Sequence, residues 1–223
     1  MKSTGIRTVI ATIMLIVGNQ RGNAQGLFSN LDFEQSRLPL FLEPGIVPIT
    51  NAMPGWTGYL GSNQIDQVWY NTVTLDAAAV TFQGPGSLFP AIQGNYSVLL
   101  RGSSSLTFDP QSAAIAQTGL IPLGSRSIVF LTGPTYRLEM SFAGQPIPLV
   151  QIGAGTNYII LGGDISQFAR QIGELRITAP PTTGGGFVDD IRFSTQPIPE
   201  PSALGLFAVG LSILGWRSLT KRM

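Results

Sequence analysis

The sequence predicts an all-β domain, an antiparallel β-sandwich of jelly-roll type, between two apolar terminal segments. Three observations lead there. Between Gln25 and Thr195 many short runs of β-branched and aromatic residues occur, with no long apolar pattern at helical period. The runs are separated by turn chemistry at Gln83-Gly84-Pro85-Gly86, Gly102-Ser103-Ser104, Gly133-Pro134 and Ala143-Gly144-Gln145-Pro146. The 27 Gly and 16 Pro among 223 residues, with 43% apolar content, suit a turn-rich protein with a sizeable core.

Residues 1–24 read as a secretory signal peptide. Lys2 and Arg7 form the positive region, and 8–17 the apolar region. Gly22-Asn23-Ala24 supplies small residues for cleavage between Ala24 and Gln25. The ten residues 8–17, largely apolar, rise only about 15 Å as a helix, half of a bilayer, so a permanent anchor is the poorer account. The domain proper spans 25–195. Its predicted strands are 27–33, 68–75, 79–82, 96–101, 127–131, 137–142, 147–152, 158–161, 175–179 and 187–193. In 137–142 the alternation is strict: Leu138, Met140 and Phe142 share one face, and Arg137, Glu139 and Ser141 the other. Residues 180–186 read as a long hairpin loop. A short surface helix is predicted from an Asp164 cap, with Ile165, Phe168, Ala169 and Ile172 as its stripe and Gly173 closing it. Residues 196–223 form the third unit. Pro197, Pro199 and Pro201 favour an extended spacer, and an apolar helix begins after Ser202. From Ser202 to Leu219 that helix measures about 27 Å, nearly enough for a thin bilayer if Arg217 snorkels. Arg217, Lys221 and Arg222 would then stay cytoplasmic while the domain is exported.

Cysteine and histidine are absent, which removes disulfides, Cys/His zinc sites, Ser-His-Asp triads and haem or iron–sulfur ligation. The net charge of +1 conceals a polarity. From Gln25 to Glu200 there is no lysine, and seven Arg face all twelve acidic residues, a formal charge of −5. Nucleic acid is therefore not an expected partner, since its binding needs clustered cations.

The C-terminal order of Pro199-Glu200-Pro201, apolar helix and basic tail resembles the PEP-CTERM sorting signal of Gram-negative bacteria. The resemblance covers about the last 25 residues. It implies a transient stay in the inner membrane and an exosortase as partner. That enzyme would recognise Pro199, Glu200 and Pro201 and release the domain to the cell surface or an exopolysaccharide matrix. The departure is the basic cluster, in which Arg217 stands apart from Lys221 and Arg222.

Asn30-Leu31-Asp32-Phe33-Glu34, Pro54-Gly55-Trp56, the run from Gly163 to Ala169, and Val188-Asp189-Asp190-Ile191 together resemble the galactose-binding-like jelly rolls of carbohydrate-binding modules. The resemblance implies a structural calcium held by Glu34 and Asp190 with Asp189 nearby, tying the first strand to the last. Carboxylate oxygens suit that hard cation. The alternative is that Asp189 and Asp190 end a strand in solvent or meet Arg192 or Arg176. Trp56, Tyr59, Trp69 and Tyr70 are the candidate sugar-stacking residues, with Asn63, Gln64 and Asn71 as hydrogen-bonding neighbours. Their alternative is a place in the core.

Glycoside hydrolysis would need only two carboxylates, yet no catalytic motif surrounds any of the twelve acids. The expected function is that of an exported, non-catalytic surface or matrix protein that binds polysaccharide. The rivals are a structural matrix protein or adhesin that binds other proteins, and a glycoside hydrolase.

Overall fold

The computed structural model describes residues 26–40, 42–74, 77–104, 109–182 and 184–198. The expected signal peptide with its Ala24/Gln25 junction, the Pro-Glu-Pro element, the C-terminal apolar segment and the basic tail lie outside the described residues. Among those described, no helix is long and apolar enough to cross a membrane.

The chain forms two sheets. In order, the strands are β1 (Gly45–Pro48), β2 (Thr57–Leu60), β3 (Asn63–Ile65), β4 (Gln67–Tyr70), β5 (Ala79–Gln83), β6 (Ser97–Gly102) and β7 (Ala113–Leu120). Then follow β8 (Ser127–Thr132), β9 (Glu139–Phe142), β10 (Gln145–Ile147), β11 (Val150–Ala154), β12 (Ile159–Asp164), β13 (Ile172–Ala179) and β14 (Gly184–Ser194). A single turn of helix, α1 (Ile49–Ala52), follows β1. One sheet has eight strands in the order β1-β4-β5-β6-β14-β8-β12-β11, and the other six, β10-β9-β13-β7-β2-β3. Their inner faces bury one continuous core that includes Phe82, Ile115, Phe130, Phe142 and Leu161. The architecture is therefore a two-sheet sandwich whose strands, among the described residues, pair antiparallel except β4 with β5, and an isolated parallel bridge joins Leu27 to Leu120.

The alternation in 137–142 is realised: Leu138, Met140 and Phe142 are buried while Arg137 and Glu139 are exposed. The β9–β10 hairpin turns on Ala143 (φ 48°) and Gly144 (φ 77°), the two consecutive positive φ values of a type I′ turn.

Several expectations are corrected. Segment 27–33 is not a strand but an irregular segment running into a turn, with Asn30 at φ 52° and Phe33 at φ 60°, values that break an extended backbone. The run 147–152 is divided, because the Pro148-Leu149 step carries the chain from β10 in one sheet to β11 in the other. The helix predicted after Asp164 is only a three-residue 3₁₀ turn, Ser166–Phe168; Arg170 sits at φ 67°, and Ile172 already belongs to β13 with its side chain exposed. Asp164 ends β12 and the N-cap position of the turn is Ile165, although Asp164 Oδ1 accepts a hydrogen bond from Ser166 N–H at 2.8 Å. Gly184, Gly185 and Gly186 are not loop but the start of β14. A side chain on Gly185 would overlap the carbonyl oxygen of Leu100 in β6. Strands β1, β2, β3 and β7 were not expected.

Candidate functional site

β14 runs through the middle of the larger sheet, pairing with β6 through Val188 and with β8 from Asp189 onward. The register slips between Asp189 and Arg192, and Asp190 takes φ 48° in that bulge. The bulge turns two adjacent carboxylates towards the N-terminal turn. That turn is held from three sides. Trp56 Nε1 donates to the Asn30 carbonyl at 2.9 Å, Asn30 Nδ2 donates to the Pro54 carbonyl at 3.1 Å, and Ile191 N–H donates to the Leu31 carbonyl at 2.9 Å. The motifs 30–34, 54–56 and 188–191 thus form one structural unit.

A cavity of about 270 Å³ lies there, lined by Asp32, Glu34, Gln93, Gly94, Asp189, Asp190 and Arg192. The two Glu34 carboxylate oxygens accept from Asn95 N–H (2.8 Å), Tyr96 N–H (2.9 Å) and Asn95 Nδ2 (3.1 Å). Gly94, at φ 64°, leaves the room that the Glu34 carboxylate occupies. Asp189 is almost fully buried, and its Oδ2 accepts from Gln93 N–H at 2.8 Å. Burial pushes its carboxyl up to about 7; amide hydrogen bonds from Gln93 and Asp190 pull it down, and the charges of Asp190 and Glu34 push it up. Asp190 is paired with Arg192, Nη2 to Oδ2 at 2.5 Å and Nε to Oδ1 at 2.8 Å.

Glu34, Asp189 and Asp190 are therefore brought together around one cavity, as the calcium expectation required, and each carboxylate is also engaged by a protein donor. Glu34 serves loop amides, Asp190 serves Arg192, and Asp189 turns an oxygen to the Gln93 amide. Among the described residues, no three carboxylates converge as metal ligands. What the unit does is tie loop 84–96, through Gln93, Asn95 and Tyr96, to both ends of the domain.

Two of the four sugar-stacking candidates are corrected. Trp56 is 4% exposed, its ring 5.5 Å from that of Phe33. Tyr70 is fully buried, 6.4 Å from Phe82. Both face the core, so neither ring offers a free face. Asn71 is likewise consumed locally, its side chain bonding Pro85 O at 2.9 Å and Gly84 N–H at 2.7 Å. Tyr59 lies on the outer face of the smaller sheet, with the Arg176 guanidinium 4.0 Å above its ring and Glu174 bonded to that guanidinium at 2.8 Å. One face of Tyr59 is thereby occupied. Asn63 and Gln64 are exposed on β3.

Trp69 is half-buried on the outer face of the larger sheet. The strand registers place it in a row: Ile46 opposite Trp69, Trp69 opposite Thr81, Thr81 opposite Leu99, and Leu99 opposite Phe187. At about 4.8 Å per strand the row spans about 19 Å. Phe89 from loop 84–96 extends it, its ring 6.0 Å from Phe187. Exposed Gln67 shares the outer face, and a cavity of about 190 Å³ opens beside Trp69 towards Leu60 and Ile65. Ile46, Leu99, Phe187 and Phe89 were missed from sequence because the row exists only across strands.

Residues 197–222 match the PEP-CTERM protein-sorting motif. This chain carries a PEP-CTERM sorting signal. The signal marks it as an exported exosortase substrate, anchored transiently in the membrane before cleavage. Pro197 and Ile198, the first two residues of the PEP-CTERM match, are described; Pro197 is exposed and Ile198 is half-buried against Gly162. No curated protein matches the chain. Among solved structures it is similar to the enzymatically active domain of bacteriophage CBA120 tailspike protein 4, at 14% identity and a TM-score of 0.36. That similarity covers 63% of this chain and 19% of the tailspike chain.

Proposed function

We propose that the sandwich is a non-catalytic passenger of galactose-binding-like type. It reaches the surface or extracellular matrix of a Gram-negative bacterium and associates there with exopolysaccharide through the Trp69 row. The PEP-CTERM signal carries the export half of this reading. The outer-face row supports the other half: Ile46, Trp69, Leu99 and Phe187, aliphatic or flat groups on four of five adjacent strands with the buried Thr81 between Trp69 and Leu99, match the apolar faces of sugar rings, with Gln67 available for hydroxyls. The acidic cavity serves structure here. Its one carboxyl with a raised pKa, Asp189, is buried and bonded to a loop amide.

Co-sedimentation with exopolysaccharide from the producing strain tests the reading. Binding that is lost in Trp69→Ala and in Phe187→Ala, with melting temperatures preserved, supports it. Full binding by both variants defeats it. The adhesin reading has one observation of its own: residues 144–163, which contain the edge strands β10 and β11, hold no charged residue. Saturable binding to other surface proteins, with none to any glycan, would favour that reading. Turnover of a polysaccharide that single carboxylate substitutions abolish would favour a hydrolase.

A further inference from the structure

After β14 the chain does not leave the domain at once. Ser127 Oγ donates to the Gln196 carbonyl at 2.7 Å, and Gln196 N–H donates to Ser194 Oγ at 3.0 Å. These bonds lead the segment onto the outer face of the larger sheet, where Ile198 is half-buried. Its seat is centred on Gly162 in β12. A methyl group added at Gly162 would come within 2.5 Å of Ile198 Cδ1, 3.1 Å of Ile152 Cδ1 on β11 and 3.4 Å of Val129 Cγ1 on β8. Gly162 has no positive φ, so its backbone does not demand glycine. Glycine inside a strand costs stability and marks close approach by another group. Here that group is Ile198, flanked by Ile152 and Val129.

We infer that Val129, Ile152 and Gly162 form a seat for the chain's own sorting signal, and that the seat restrains access to the Pro-Glu-Pro element. This rests on the exosortase reading above. An extended residue spans at most about 3.5 Å, so Glu200 is tethered within about 7 Å of the seated Ile198. Pro199 follows Ile198 directly in the chain, so an enzyme that must surround Pro199-Glu200-Pro201 competes with the seat for this segment unless Ile198 lifts away. The seat therefore competes with the processing enzyme, and cleavage proceeds from the unseated population.

The test uses the full-length chain in inner membranes, as wild type, Ile198→Ser, which removes the plug, and Gly162→Ala, which fills the seat. Limited digestion with proteinase K, followed by mass spectrometry of cuts within 195–201, reads the seat directly. Both variants are expected to be cut about fivefold faster, the factor for losing a half-buried aliphatic side chain. Unchanged melting temperatures exclude general unfolding, and Ile198→Ser, which leaves the sheet intact, decides if Gly162→Ala folds poorly. Equal digestion of wild type and Ile198→Ser overturns the seat. A pulse-chase in cells containing the exosortase reads its effect on sorting, with faster loss of the tail expected in Ile198→Ser. Faster digestion without faster processing overturns the restraint. If wild type and variants alike keep the tail, the exosortase reading fails and the restraint with it, whereas the seat still stands or falls on the digestion.

Discussion

Replacing Asp189 by Asn changes one atom type in the acidic unit and should change how stability responds to pH. In the folded protein the Asp189 carboxyl titrates near 7, against an ordinary 3.8, chiefly because burial penalises its ionised form. Between those values the folded chain holds a proton that the unfolded chain has released. The contribution is fully present below about 3.8 and is lost as pH rises through 7. About three pH units at ~1.4 kcal/mol each give roughly 4 kcal/mol as the upper size of the effect. Asp164 works in the opposite sense. The amide and hydroxyl of Ser166 hold its carboxyl below the usual range, so its small, exposed contribution is lost only as pH falls below that range. Asn at 189 cannot ionise and can still accept the Gln93 N–H. Urea denaturation of the purified protein at pH 5, 6, 7 and 8 and constant ionic strength checks this. Wild-type stability should fall across the series, that of Asp189→Asn should stay nearly flat, and the variant should be the more stable at pH 8. A wild-type curve that rises towards pH 8, or a variant less stable there, would refute the assignment. A bound calcium predicts that opposite sign, together with destabilisation of the wild type by chelator.

Other substitutions separate core from surface. Trp56→Ala should cost about 3–5 kcal/mol in denaturant unfolding, since it empties a buried site and leaves the Asn30 carbonyl without its indole donor; a loss below about 1 kcal/mol would show that the ring is not in the core. Trp69→Ala should cost less than about 2 kcal/mol while abolishing co-sedimentation with exopolysaccharide. Retained co-sedimentation would remove the row as the binding surface.

The parts legible in the sequence were those written in local pattern. The alternation of 137–142 predicted a half-buried strand, and β9 with its type I′ turn follows. What escaped depended on partners far along the chain. β7, Ala113-Ala114-Ile115-Ala116-Gln117-Thr118-Gly119-Leu120, has little β-branched or aromatic content, yet it lies inside its sheet between β13 and β2. The opposite error arose at 27–33, whose apolar residues suggested a strand while Asn30 and Phe33 adopt the left-handed conformation of a turn. Site residues follow the same division. The motifs containing Glu34, Trp56 and Asp189 were recognised and do meet. Which carboxylate would take an amide and which an arginine was not readable, because Gln93 and Asn95 come from a loop without a motif. Trp56 and Trp69 look equivalent as letters. Only strand register shows that one faces Phe33 in the core and the other stands in line with Leu99 and Phe187.

Export with C-terminal processing is the claim on which the functional account rests, and the intact mass of the protein recovered from the cell surface tests it most directly. The account predicts a chain that begins at Gln25 and ends within the sorting signal, without Arg217, Lys221 and Arg222. A surface species with the mass of the full chain from Met1 to Met223 would contradict it.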